Sequence, residues 1–244
     1  MAGPALAADC WFENGAVVVP AEVAGIAGDY LIDPSAPTTL IHETRAQTEG
    51  FAAVDLVAPV RIDGLTLKAL PVKVADLDDR APGFDTPIAG VIGADALAGQ
   101  VIDLDFKPCR VSIQPQARAR SGGRMLTLVM VGGTPAVRAA VSDDRQARAG
   151  LFAMDWSSAG LVRLSDRVAA FKPPREGLNP SARNAAPGRL RALSISETLY
   201  EEVEAGLIAG LNPALTGSLG VDFWSRWRLR LDMRRGVVVL FPKT

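Results

Sequence analysis

The chain carries one histidine, two cysteines and two tyrosines in 244 residues. A Ser-His-acid triad needs a histidine as its base. The single one, His42, falls where a short helix is expected to begin and reads as a surface residue. With two cysteines, one histidine and no metal-ligand spacing, a zinc site is excluded, and neither a metal nor another cofactor is expected. Gly90-x-x-Gly93 is too short for a phosphate loop and lacks its lysine. No apolar run approaches the roughly 20 residues of a spanning helix. Neither sign of charge is in excess, since 26 basic residues face 27 acidic ones for a net charge of −1. That balance gives no purchase to nucleic acid or an anionic membrane. The one basic stretch, Arg226–Arg235, alternates Arg226, Arg228 and Arg230 with Trp227, Leu229 and Leu231, the pattern of a half-buried strand.

What the chain does have is a repeat. Gly90–Pro115, GVIGADALAGQVIDLDFKPCRVSIQP, aligns without a gap on Gly217–Pro242, GSLGVDFWSRWRLRLDMRRGVVVLFP. Gly90/Gly217, Gly93/Gly220, Asp95/Asp222, Leu104/Leu231, Asp105/Asp232, Val111/Val238 and Pro115/Pro242 coincide. Upstream, Asp29–Ile41 (DYLIDPSAPTTLI) matches Leu151–Arg163 (LFAMDWSSAGLVR), each an apolar run ending in one aspartate followed by small or hydroxyl residues. Two lobes are expected, over residues 12–116 and 124–244. With 48% hydrophobic residues, each has enough for a core.

Short β-branched runs dominate both halves: Ala16–Val23, Tyr30–Ile32, Val60–Ile62, Leu65–Leu67, Pro71–Val74, Val101–Leu104 and Val111–Ile113, then Leu126–Val131, Ala136–Val141, Gly150–Met154, Leu190–Ile195, Trp227–Leu231 and Val237–Phe241. Asp63-Gly64 is a two-residue hairpin signal. Short helices are expected over His42–Glu49, Asp95–Ala98, Ser165–Ala170 and Glu197–Ile208, the last from its acidic start. Gln116–Arg124 reads as the interlobe connection and Lys172–Arg189 as an exposed, Pro-rich loop. Cys10 and Cys109 are either a disulfide tying the N-terminal segment to the last strand of lobe one or two unpaired thiols. Ala5-Leu6-Ala7 before Ala8-Asp9 is read either as the end of a secretory signal, implying a periplasmic or secreted protein, or as a plain tail with a cytoplasmic home.

An apolar strand, an aspartate, a small-residue turn, then an apolar–apolar–Gly segment and a strand ending in Asp, given twice, resembles the retropepsin-like and pepsin-like aspartic peptidases. Val91-Ile92-Gly93 and Leu219-Gly220 carry the likeness best, and it spans nearly the whole chain. The resemblance implies an all-β, bilobal acid-protease fold with a pseudo-twofold axis and a cleft between lobes. It also implies that Asp33 and Asp155 are a catalytic pair sharing one proton, one activating water and the other polarising a scissile carbonyl.

Both motifs depart from the family's Asp-Thr/Ser-Gly. Asp33 is followed by Pro34-Ser35-Ala36 and Asp155 by Trp156-Ser157-Ser158. Pro34 and Trp156 lack the hydroxyl that clamps the two loops together. Ser35 and Ser157 keep the N–H that a glycine would aim at the carboxylate but add a side chain. Ser158 can serve as the outer hydroxyl, and Ala36 matches the retroviral-type choice. Asp63 and Gly64 are assigned to a flap over the cleft, and Trp156 is expected beside bound substrate. A monomer acting on a peptide or protein is expected. Two functions remain open: peptide hydrolysis by the Asp33/Asp155 dyad, or a non-catalytic module that binds peptide or serves as a scaffold.

Overall fold

The computed structural model describes residues 10–80, 83–116, 122–143, 146–169 and 188–243. Lobe one is built from β1 (Trp11–Glu13), β2 (Ala16–Val23), β3 (Ile26–Ile32), β4 (Thr39–His42), β5 (Asp55–Ile62), β6 (Leu65–Ala75) and β7 (Ile88–Ile92), with α1 (Glu43–Thr48) after β4 and α2 (Ala94–Leu97) after β7; β5 alternates buried and exposed side chains, whereas β7 is buried throughout. They order as β1-β2-β3-β7-β4-β6-β5, and β2 also pairs with β5, which closes a barrel. β8 (Val101–Phe106) and β9 (Cys109–Gln114) leave this barrel for a sheet between the lobes.

Lobe two repeats the plan with β11 (Val129–Val131), β12 (Thr134–Ser142), β13 (Ala147–Met154), β14 (Val162–Ser165), β15 (Gly188–Ile195), β16 (Thr198–Ile208), β17 (Gly217–Leu219) and α3 (Val221–Trp224). The order β11-β12-β13-β17-β14-β16-β15, closed by β12 on β15, is the order of lobe one. β10 (Arg124–Thr127), β18 (Arg228–Asp232) and β19 (Val237–Phe241) complete the interlobe sheet, β10-β19-β18-β8-β9. The all-β, two-lobed arrangement is the one the resemblance implies.

The repeated glycines have a steric cause. A Cβ on Gly90 would lie 2.2 Å from the Leu40 carbonyl oxygen, and one on Gly217 2.2 Å from that of Arg163. Both distances are far inside contact, so β7 and β17 reach their neighbours only without a side chain. At the centre of the interlobe sheet β8 pairs antiparallel with β18, with Asp103 opposite Arg230. The repeat makes these two positions equivalent, so the pseudo-twofold axis passes between them. Arg230 donates Nε and Nη2 to the two carboxylate oxygens of Asp103, each at 2.8 Å. A strict duplication would set like charge against like here; divergence has set a bidentate ion pair instead.

Cys10 and Cys109 form a disulfide with Cα atoms 5.4 Å apart, so of the two readings the bridge holds. His42 is corrected from a surface position: it is 8% exposed and caps α1, its Nδ1 accepting the Thr44 N–H. The helix expected over Glu197–Ile208 is β16, paired with both β14 and β15. The acidic start belongs instead to a hairpin turn, Ser196-Glu197, whose φ values of 48° and 65° reproduce the Asp63-Gly64 turn (46° and 74°). The helix expected from Ser165 is the end of β14 followed by a turn. Residues 1–9, 117–121 and 170–187 lie outside the described residues, and with them the signal-like start, the middle of the interlobe connection and most of the Pro-rich loop. Among the described residues no helix is long and apolar enough to cross a membrane.

Candidate active site

Asp33 directly follows β3 and Asp155 directly follows β13, and the two loops are held the same way. The Asp33 N–H donates to the Ile92 carbonyl at 3.0 Å and the Asp155 N–H to that of Leu219 at 3.0 Å. The Ala36 and Ser158 carbonyls accept from Ala94 and Val221, at 2.8 and 2.9 Å, which seats each loop on the helix after the glycine. Within the loops, Ser35 N–H reaches Asp33 Oδ1 at 2.8 Å and Ser157 N–H reaches Asp155 Oδ1 at 3.0 Å.

The clamp across the axis is rebuilt from other groups. Ser157 Oγ donates to Asp33 Oδ2 at 2.7 Å and lies 3.4 Å from Asp155 Oδ1. A hydroxyl has one proton, so the shorter contact takes it. The Trp156 N–H points at Asp33 Oδ1 (3.4 Å), its carbonyl accepts from Val17 (3.3 Å), and Thr134 Oγ1 donates to the Ser35 carbonyl (3.1 Å). The Ser157 side chain, an intrusion if a glycine is required, stands between the two acids.

Each acid also has its own arginine. Arg80, on the loop after β6, donates Nη1 to Asp33 Oδ2 at 3.1 Å. Arg163, on β14, donates Nη2 to Asp155 Oδ2. Asp33 and Asp155 are 0% and 1% exposed. Burial pushes the Asp155 carboxyl up, but the Arg163 guanidinium, the Ser157 N–H, the more distant Arg80 and the Ser158 hydroxyl together hold it below the ordinary aspartate value. Every oxygen of the two carboxylates has a donor.

The remaining assignments separate. Trp156 is corrected from a substrate contact: its ring is fully buried and meets Phe106 of β8 edge-on, centroids 6.5 Å apart. The residue after the acid turns its side chain towards the interlobe sheet and leaves only its N–H at the carboxylate. Asp63 and Gly64 are corrected from a flap. β5 closes the barrel on β2, pairing Ile62 with Ala21, three residues along β2 from the Val18–Leu31 pair that leads into Asp33. The turn is anchored on the interlobe sheet, Asp63 Oδ2 accepting the Ile113 N–H at 2.9 Å. The sequence reading missed Arg80 and Arg163. Arg163 left a trace, a lone charge between two core residues in Val162-Arg163-Leu164; Arg80, in an acidic loop, left none. Among the described residues no group of side chains is suited to a metal ion.

No family model matches the sequence, and no curated protein sequence matches it. Among solved structures the fold is similar to that of the aspartic proteinase from Irpex lacteus, with a TM-score of 0.59 over 98% of this chain and 97% of that one. Sequence identity is 11%, so the likeness is one of fold, the bilobal pepsin-like fold.

Proposed function

We propose that this protein uses the pepsin-like fold as a non-catalytic peptide-binding module. One observation carries the reading: each buried acid is ion-paired with its own arginine. Acid-protease chemistry needs one ionised carboxylate to activate water and one protonated carboxyl to polarise the carbonyl. That asymmetry arises when two carboxylates must share a site and cannot both ionise cheaply. Two guanidiniums beside two carboxylates balance the charge and remove the pressure to share a proton. A water to be activated would also have to hydrogen-bond the pair, and the Ser157 hydroxyl already stands there. Peptide binding survives these changes, because an extended chain between the lobes is held by strand-edge hydrogen bonds and not by the acids.

The hydrolytic alternative is supported by the convergence of the acids on one hydroxyl. A mixed peptide library incubated at pH values from 3 to 7 and read by mass spectrometry and fluorescence anisotropy separates the two. Binding without cleavage is the expected result. Cleavage that disappears in Asp33→Asn would overturn the proposal. The Cys10–Cys109 bridge further supports an oxidising compartment, periplasmic or extracellular. Thiol alkylation in intact cells tests that placement, and reduced cysteines would contradict it.

A further inference from the structure

The hydrogen-bonding character of the acid centre is inverted relative to that of a working dyad. Each carboxylate oxygen of Asp33 and Asp155 already has a donor, and the two residues are 0% and 1% exposed, so the acids present almost no accepting surface to a ligand N–H. Donors, in contrast, remain. Arg80 spends one Nη on Asp33 and has no other partner among the described residues, out of the five N–H groups a guanidinium carries. Its side chain is 37% exposed while that of Asp33 is 1% exposed, so the open edge of the guanidinium is the accessible part of the pair. Arg163 is 18% exposed, and its Nε is buried without a partner among the described residues.

Arg80 is also held in place. Leu77 is 3% exposed in a cluster with Ala16, Val18, Leu31, Ala36, Ile88 and Val91. The Arg80 N–H closes a turn on the Leu77 carbonyl at 2.7 Å. Asp78 pairs with His42 Nε2 at 3.2 Å, and Asp76 accepts the Asp78 N–H. The contacts of Asp76 and Asp78 are thus with groups other than Arg80, whose guanidinium is bonded to Asp33 among the described residues. A preorganised guanidinium loses little freedom when it binds.

We propose that this centre recognises a carboxylate on the bound peptide, with Arg80 as the residue that holds it. The inference rests on the peptide-binding reading above. A guanidinium fork matches a carboxylate in shape and charge better than it matches a neutral carbonyl. The carboxylate is either a free C-terminus or an Asp/Glu side chain.

Three fluorescein-labelled hexapeptide libraries test the proposal by anisotropy. The first has a free C-terminal carboxylate and no Asp or Glu. The second is C-terminally amidated with one Glu, and the third is the second with Gln for Glu. One carboxylate library is expected to bind at least about tenfold more tightly than the Gln library, the scale of a hydrogen bond to a charged group. Which of the two does so identifies the source. Arg80→Gln is expected to abolish the preference and Arg80→Lys to retain part of it. Because Arg80→Gln leaves Asp33 unpaired, Asp33→Asn/Arg80→Gln serves as the second variant should the single one melt early. Equal binding of all three libraries overturns this inference and leaves peptide binding standing. A preference that survives in the double variant overturns the assignment to Arg80. No binding by any library overturns both.

Discussion

The two acid loops reach one electrostatic end by different means. Asp155 is neutralised from within its own barrel: Arg163 sits on β14 opposite Ser218 of β17. In the strand ladder the matching position in lobe one, opposite Val91, is Leu40, one residue before the Ile41 that the ungapped alignment sets against Arg163. Asp33 is neutralised instead from the loop after β6, by an arginine twice as exposed, 37% against 18%. The backbone hydrogen bonds around the acids follow the repeat and the counter-ions do not. Duplication therefore accounts for where the carboxylates stand, and lobe-specific residues account for what they can do. One arginine is built into the sheet, as a structural counter-ion must be; the other is presented at the surface, where a ligand can reach it.

The largest expected effect comes from giving lobe two the residue of lobe one. Arg163→Leu strands the Asp155 charge in the interior and should cost about 3–4 kcal/mol in urea unfolding at neutral pH. Adding Asp155→Asn should recover most of it. An unchanged midpoint would mean that Arg163 is not the counter-ion. Next is the point where the repeat faces itself. Asp103→Arg sets two guanidiniums together and should cost about 2–3 kcal/mol, while the swap Asp103→Arg/Arg230→Asp should restore most of the loss. Failure of the swap to rescue would show that the pair is not the determinant at the axis. Arg80→Gln, which removes the solvent-facing partner of buried Asp33, should cost less than Arg163→Leu, about 1–2 kcal/mol, because water can reach the side that Arg80 vacates. A loss as large as that of Arg163→Leu would erase the distinction between the lobes.

The smallest effect is in the pH profile. The Asp155 carboxyl is depressed in the folded protein, so its contribution to stability is full well above its unfolded value of 3.8. It begins to fail as pH drops through that value and is gone only below the folded one. Asp155→Asn should be less stable at neutral pH, flatter in this window, and converge with the wild type in acid. Parallel profiles would contradict the assignment.

The barrels were legible because their signals are local and duplicated: β-branched runs, close-approach glycines and the aspartates directly after the strands. β2 and β19 fall on the runs read for them, Ala16–Val23 and Val237–Phe241. β16 was misread because its acidic start mimics a helix N-terminus, while the pairing with β14 and β15 that decides it is non-local. The flap assignment failed for a related reason: a two-residue turn specifies a hairpin but not which end of a barrel it occupies. Arg80 lies 47 positions from Asp33, and nothing in a run of acidic residues reports a contact at that separation. The motif departures were legible, but their consequence was not: Ser157, which adds a side chain where the family has glycine, donates that hydroxyl across to Asp33.

The central claim is that the acids meet without sharing a proton. Carboxyl carbon-13 chemical shifts of the aspartates, followed from pH 7 into acid and assigned with Asp155→Asn, test it most directly. Asp155 should remain a carboxylate down through the ordinary aspartate range and take its proton only below it. A carboxyl at Asp155 that is protonated, or shares a proton with Asp33, near neutral pH would contradict the account and restore the dyad.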